Sequence, residues 1–165
     1  MSDRNTYYSI ACDEFYYLRD ADNSKYFNPA ATQAQQVAEK MIKSVAELVC
    51  VDIEKLMCSH DIRALYDSIR NHGEDYHLDR DALSALKDYF DTCYPGDNFV
   101  EITCEGLIDA LQTMISVVKE TERWRSEHNL PTRIGNPDLE FSKVLKQLQE
   151  IKETTPSKWT FDTDN

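Results

Sequence analysis

The chain has 165 residues, of which 41% are hydrophobic and 29% are charged, and its formal net charge is −12. This length and composition fit one folded domain and exclude an intrinsically disordered chain. No apolar run approaches the roughly 20 residues of a membrane-spanning helix, and the acidic charge disfavours nucleic acid over most of the surface.

Few residues that form turns are present, with only 4 glycines and 5 prolines. This scarcity predicts long helices, so we expect an all-α fold. The 5 cysteines contain no Cys-x-x-Cys pair, which argues against a disulfide framework or a zinc site, and we predict no metal and no other cofactor. The N-terminal MSDRNTYYSI has no basic segment followed by an apolar one, so we expect no secretion signal and a cytoplasmic protein without membrane contacts.

The first predicted helix covers residues 6–22. It depends on four apolar residues at helical spacing, Tyr8, Ala11, Phe15 and Leu18. Asn28-Pro29 then predicts the cap and first turn of a helix over residues 29–49. The buried side of this helix is rich in alanine. Because small residues allow close approach, we expect a helix–helix seam there.

The middle of the chain predicts two further helices. The segment VDIEKLMC is ambiguous between a short helix and a turn. Ser59 is expected to cap a helix over residues 59–71, with Asp61 in its first turn. After the polar loop NHGEDYHLD, another helix is expected to end at the turn signal Tyr94-Pro95-Gly96-Asp97.

The C-terminal part begins with the longest predicted helix, which Thr103 is expected to cap and which extends toward Trp124. Residues 129–137 predict a linker, and a short helix over residues 138–153 precedes a polar tail.

The order of several short motifs resembles the HEPN domain family (higher eukaryotes and prokaryotes nucleotide-binding). These motifs are an aromatic-rich first helix, AQQVAEKMIKSV, SHDIRALYDSI, and a Tyr-Pro turn after LKDYFDT, followed by a long helix. The Gln-Gln-x-x-Glu-Lys-x-x-Lys pattern of the family matches Gln35, Gln36, Glu39, Lys40 and Lys43, and its His-Asp pair matches His60 and Asp61. The resemblance covers about residues 6–122.

The resemblance implies an up-and-down bundle of four to five helices that dimerises, often encoded beside a small nucleotidyltransferase. We therefore predict an HEPN-like bundle over residues 1–128. Residues 129–165 would supply a linker, an extra C-terminal helix and a polar tail. Where the family often has arginine before the Tyr-Pro turn, this chain has Cys93, which puts the usual role of that arginine in doubt.

A nucleotide-binding groove is the first candidate site. The expected residues are Gln36, Lys40, Lys43, His60 and Asp61. Lys40 and Lys43 lie on neighbouring steps of one helix and, with a histidine near a helix N-terminus, could hold a phosphate. The alternative is an exposed Glu39–Lys43 pair facing water, with Asp61 only compensating the helix dipole.

A ribonuclease site is the second candidate. Some HEPN proteins use an arginine that is often followed by a polar residue, with a histidine four to six residues after that residue, and Arg70, Asn71 and His77 match this spacing. Histidine would act as general base on a ribose 2′-hydroxyl while arginine stabilises the developing charge. Against this, Leu78-Asp79 follows the histidine where the family has x-Tyr, and the acidic loop is expected to be flexible. A second match, RWRSEH over residues 123–128, is attributed to chance.

The leading hypothesis is a homodimer that binds a nucleotide or a small nucleotidyltransferase without strong catalytic activity of its own. One alternative is a metal-independent endoribonuclease of a toxin–antitoxin pair, for which RNA would be the substrate. The other is an interaction scaffold that holds a basic partner through its acidic surface and its C-terminal helix. Tyrosines of the first helix are candidates for a dimer contact, since tyrosine suits half-wet interfaces.

Overall fold

The computed structural model describes residues 6–50, 54–91 and 101–154, and this part of the chain is helical with no strand. The all-α prediction is confirmed. The helices are α1 (Tyr7–Asp20), α2 (Phe27–Val49), α3 (Glu54–Met57), α4 (Ile62–Asn71), α5 (Arg80–Asp91), α6 (Cys104–Glu127) and α7 (Pro137–Thr154). No helix within the described ranges is long and apolar enough to cross a bilayer.

Helix α2 lies at the centre of the bundle and packs against α1, α4, α5 and α6. Its seam is built from small residues, since Ala31, Ala34 and Ala38 are fully buried. The missing side-chain volume at these positions allows neighbouring backbones to come close. The predicted helix–helix seam is therefore confirmed.

The start of α2 differs from the prediction. The helix begins at Phe27, and its N-cap residue Tyr26 makes no side-chain capping hydrogen bond. Asn28 does not cap the helix but accepts a hydrogen bond from the Ile102 backbone N–H at 2.8 Å. Pro29 is tolerated in the first turn because its missing N–H would have no intrahelical partner there. The Asn28 side chain, which local sequence rules assign to helix capping, thus bonds instead to a residue distant in sequence.

The start of α4 also differs. Asp61, not Ser59, is the N-cap, and its carboxylate accepts the Ala64 backbone N–H at 3.2 Å. Ser59 instead accepts the backbone N–H of Asp61 at 3.0 Å. Serine and aspartate are both favoured as N-cap residues. The N-cap of α4 therefore lies two residues later than predicted. The single turn α3 lies in the preceding segment, which was ambiguous in the sequence.

The predicted cap of α6 is confirmed, since the Thr103 hydroxyl accepts the Gly106 backbone N–H at 3.0 Å. The predicted turn at residues 94–97, and Cys93 before it, lie outside the described residues.

Helix α7 docks on the bundle rather than extending from it. Phe141 is fully buried and its ring centroid lies 4.9 Å from that of Phe15. The Cys104 thiol donates to the Leu148 carbonyl at 3.1 Å. The C-terminal helix is therefore part of the folded core.

Candidate functional site

Lys43 lies inside the bundle. Its side chain is 6% exposed, and Nζ lies 3.1 Å from Glu39 Oε2 and donates to the Met57 carbonyl at 2.8 Å. The second oxygen of Glu39 accepts a hydrogen bond from Gln35 Nε2 at 3.0 Å and lies 2.9 Å from His60 Nδ1. The Glu39–Lys43 pair is therefore present, but it is buried rather than exposed to water as the alternative expected. The additional hydrogen bonds compensate both charges for the loss of water. We call Gln35, Glu39, Lys43 and His60 the Glu39 cluster.

The other predicted nucleotide-binding residues lie apart from the Glu39 cluster. Lys40 forms an ion pair with Glu14 of α1. Gln36 is half-buried on α2, and Asp61 uses its carboxylate to cap α4. Lys43 and His60 thus meet at one carboxylate, while Lys40 contacts a different element.

The loop between α4 and α5, which was expected to be flexible, is anchored to the helices by several contacts. Tyr76 is fully buried, with its hydroxyl 2.8 Å from Thr121 Oγ1. The Tyr66 hydroxyl accepts the Leu78 backbone N–H at 3.0 Å. Gly73 has φ +82°, a left-handed conformation that favours glycine. One buried aromatic among acidic residues fixes a segment whose composition suggests mobility.

Of the predicted catalytic residues, Arg70 lies in the last turn of α4 and His77 lies in this loop, and both are engaged in contacts within the segment. Arg70 Nη1 donates to the Glu74 carbonyl at 2.8 Å. The side chain of His77 is 58% exposed, with Nε2 2.5 Å from Asp75 Oδ1. The hydrogen bond from His77 holds the pKa of the Asp75 carboxyl below its usual range. The His77 backbone N–H donates to Glu120 Oε2 at 2.6 Å.

The C-terminal end of α6 packs on the same loop. Arg123 Nη2 donates to the Asp75 carbonyl at 2.6 Å, and Trp124 Nε1 donates to Glu74 Oε1 at 3.0 Å. His128 stacks on Trp124 with ring centroids 4.2 Å apart and approaches Glu74 at 3.5 Å. The two Arg–His stretches, RNHGEDYH and RWRSEH, are therefore neighbours in space.

Carboxylates dominate this region. Arg123 is paired with Glu120 at 2.7 Å and with Glu127 at 2.8 Å. Those hydrogen bonds raise the pKa of the Arg123 guanidinium above its ordinary value. With Glu74 and Asp75 beside it, an incoming phosphate would meet more negative than positive charge.

A second buried polar cluster was missed by the sequence analysis. Glu122 is 8% exposed and accepts hydrogen bonds from the Tyr8 hydroxyl at 3.0 Å and the Ile134 backbone N–H at 2.7 Å. The Tyr8 hydroxyl also accepts the Arg133 backbone N–H at 2.6 Å. Burial, followed by the Glu122 contact, raises the pKa of Tyr8, which keeps the hydroxyl protonated. The sequence does contain a signal for this cluster. Glu122 lies four residues after Val118, so helical spacing places its carboxylate on the buried face of α6.

No group of three or more histidine, cysteine, aspartate or glutamate side chains in the described part of the chain is arranged to hold a metal ion.

A family model described as the HEPN domain matches residues 5–124 of the chain. No curated protein and no solved structure matches.

Proposed function

This chain belongs to the HEPN domain family, and on that premise we propose that it is a homodimeric binding subunit without ribonuclease activity. Its expected partner is a small nucleotidyltransferase. The observation that carries the proposal is the set of contacts made by Arg70, at the end of α4, and His77, in the loop that follows. The arginine is held by a backbone carbonyl, and the histidine is held by a carboxylate.

The charge around the loop supports a non-catalytic role. Phosphoryl-transfer chemistry needs cationic groups directed at the place where negative charge develops. Here Arg123 is already shared among the carboxylates of Glu120, Glu127 and Asp75. An RNA phosphate would have to displace these internal partners in an acidic protein of net charge −12.

The buried position of Lys43 favours a protein partner over a nucleotide. A nucleotide phosphate that used this ammonium would have to break a buried pair with Glu39 and a bond to the Met57 carbonyl. Breaking such a pair is costly, because it leaves an uncompensated charge behind. Lys40, beside Glu14, is the lysine that remains more accessible to a phosphate.

Exposed tyrosine on α1 supports the dimer. Tyr17 is 73% exposed and Tyr26, at the start of α2, is 66% exposed. Large aromatic side chains on a surface favour a contact that removes them from water.

A ribonuclease remains the second candidate because the two Arg–His stretches converge on one surface. The test measures cleavage of labelled single-stranded RNA by the wild type, His77→Ala and His72→Ala. His72 is the matched control, since it is exposed in the same stretch and its Nδ1 lies 2.8 Å from the Ser68 carbonyl oxygen. We expect no cleavage by any of the three. Cleavage by the wild type and His72→Ala, but not by His77→Ala, would overturn the non-catalytic assignment.

The dimer is tested by light scattering after gel filtration. We expect dimer mass for the wild type and monomer mass for Tyr17→Arg, because an arginine charge would be buried without a partner. Leu139→Arg is the control, since Leu139 is 66% exposed on α7. A monomeric wild type contradicts the dimer.

The partner is tested by co-expression with the small nucleotidyltransferase of the same genome and gel filtration of the product. We expect the two proteins to co-elute. Thermal-shift measurements with ATP and GTP address the nucleotide alternative. A shift that Lys40→Ala removes would favour nucleotide binding over the partner assignment.

A further inference from the structure

A small pocket lies where the N-terminus of α1, the C-terminal ends of α2 and α6, and the segment after α6 meet. Its volume is about 240 Å³. The walls are formed mainly by Tyr8, Glu47, Leu48, Arg125, Leu130 and Pro131. This is smaller than the roughly 300–1,000 Å³ that holds a drug-sized ligand, so only a small molecule would fit.

Arg125 forms one wall and is only 9% exposed. Its Nε donates to the Pro131 carbonyl at 2.8 Å, and its guanidinium lies 3.6 Å from the centre of the Tyr8 ring. These contacts hold the planar group in one orientation. Within the described residues, no hydrogen bond or ion pair engages its two terminal nitrogens, and Arg125 lines the pocket. A nearly buried cation therefore keeps its bidentate donor edge available.

Glu47 forms another wall, near the C-terminal end of α2. Partial burial raises the pKa of the Glu47 carboxyl, while the charge of Arg125 and the backbone N–H of Tyr7 oppose the rise. Within the described residues no ion pair joins Glu47 to Arg125, although the charge of Arg125 acts on the carboxyl. The pocket thus holds a cationic group and an anionic group that influence each other without forming an ion pair.

Apolar side chains complete the pocket. Leu48, Leu130 and Pro131 belong to its lining. Apolar walls with a few placed polar groups are the usual composition of a ligand site.

We propose that this pocket binds a small zwitterion with an apolar body, of the size of an aliphatic amino acid. The ligand carboxylate accepts two hydrogen bonds from Arg125, its ammonium group pairs with Glu47, and its aliphatic part packs on Leu48 and Leu130. The bidentate pairing of arginine with carboxylate supplies both affinity and orientation.

The charges disfavour a phosphate dianion at the same place. Glu47 lines the pocket, and Glu122 lies behind the Tyr8 hydroxyl that donates to it. The second arginine of the pocket, Arg133, is already paired with Asp13 at 2.9 Å. A single available guanidinium with a carboxylate in the same pocket suits one negative and one positive ligand charge.

The test uses L-leucine, L-leucinamide, 4-methylpentanoate and inorganic phosphate, with binding measured by titration calorimetry and amide chemical shifts. Leucinamide lacks the carboxylate, and 4-methylpentanoate lacks the ammonium group. We expect leucine to bind about tenfold more tightly than either analogue, since each lost charged hydrogen bond has about that effect. Phosphate or 4-methylpentanoate binding as tightly as leucine, or no binding by any probe, would overturn the proposal.

Variants separate the two recognition groups. Glu47→Gln is expected to weaken leucine about tenfold and to leave 4-methylpentanoate unchanged or tighter. Arg125→Lys keeps the charge but loses the planar fork, so both carboxylate ligands should weaken. Glu105→Gln, at the opposite end of α6, is the control and should bind as the wild type does. Equal leucine affinity in Glu47→Gln and Glu105→Gln contradicts the assignment, even if Arg125→Lys fails to fold.

Discussion

Replacement of Lys43 by methionine tests whether the Glu39 cluster stabilises the fold. The substitution removes the ammonium group but keeps a long unbranched side chain. Glu39, with a side chain 6% exposed, would lose its cationic partner and keep the hydrogen bonds from Gln35 and His60. Breaking a buried pair by removing one partner costs about 3–5 kcal/mol. A domain is stable by only about 5–15 kcal/mol, so the loss is a large share of the total.

The measurement is urea denaturation followed by far-UV circular dichroism. The denaturant slope should stay constant while the midpoint falls. In a thermal scan the same loss corresponds to a fall in Tm of about 6–20 °C, at about 2–4 °C for each kcal/mol in a chain of this size.

Two further variants make the result interpretable. Glu39→Gln combined with Lys43→Met removes both charges, and it should recover most of the lost stability because a neutral pair carries no uncompensated charge. Lys146→Met, on the exposed face of α7, should stay within about 0.5 kcal/mol of the wild type. If Lys43→Met changes the free energy of unfolding by less than about 1 kcal/mol, Lys43 is not a structural lysine. Its ammonium would then be available for a ligand.

Three other predictions concern single contacts. Asp61→Ala should lower the free energy of unfolding by about 0.5–2 kcal/mol while Asp61→Asn keeps the cap of α4; equal losses in urea melts would contradict capping. Tyr8→Phe removes the hydroxyl that donates to Glu122 and should cost about 1.5–3 kcal/mol, because a hydrogen bond to a buried carboxylate is lost; an unchanged Tm would refute this. The Arg80 hydrogen bond lowers the pKa of Asp67, so its contribution is present at neutral pH and is lost as the pH falls through the folded-state value. Asp67→Asn should remove that acid loss, which is at most about 1 kcal/mol because the pair is half-exposed; unfolding midpoints measured from neutral to acidic pH test it.

Helical periodicity was sufficient to predict the main elements. The stripe Tyr8, Ala11, Phe15 and Leu18 is buried as its spacing predicts. Thr103 caps α6 because that contact is local, and the sequence displays both of its partners. Each of these features depends on residues within a few positions of one another.

Features that depend on distant partners were not predictable in this way. Asn28 has the composition of a cap, yet its partner is Ile102, which lies 74 residues away. Tyr76 looks like one aromatic in a polar loop, and its contact with Thr121 of α6, 45 residues away, is among those that anchor the loop. The polar composition of a loop indicates that its side chains can be solvated. Whether the loop is also anchored depends on which buried surface of the fold lies next to it.

The motif that resembles the HEPN family also has a structural role in this chain. Gln35, Glu39 and Lys43 follow each other at steps of four, which places them on one face of α2. That face carries the polar contacts that reach the Met57 carbonyl before α4. Lys40 lies three residues before Lys43, so the two side chains leave the helix about 60° apart, and that angle is enough for Lys40 to meet Glu14 instead. A lysine is rarely buried without a partner. The glutamate one turn before Lys43 is therefore the feature from which its burial could have been inferred.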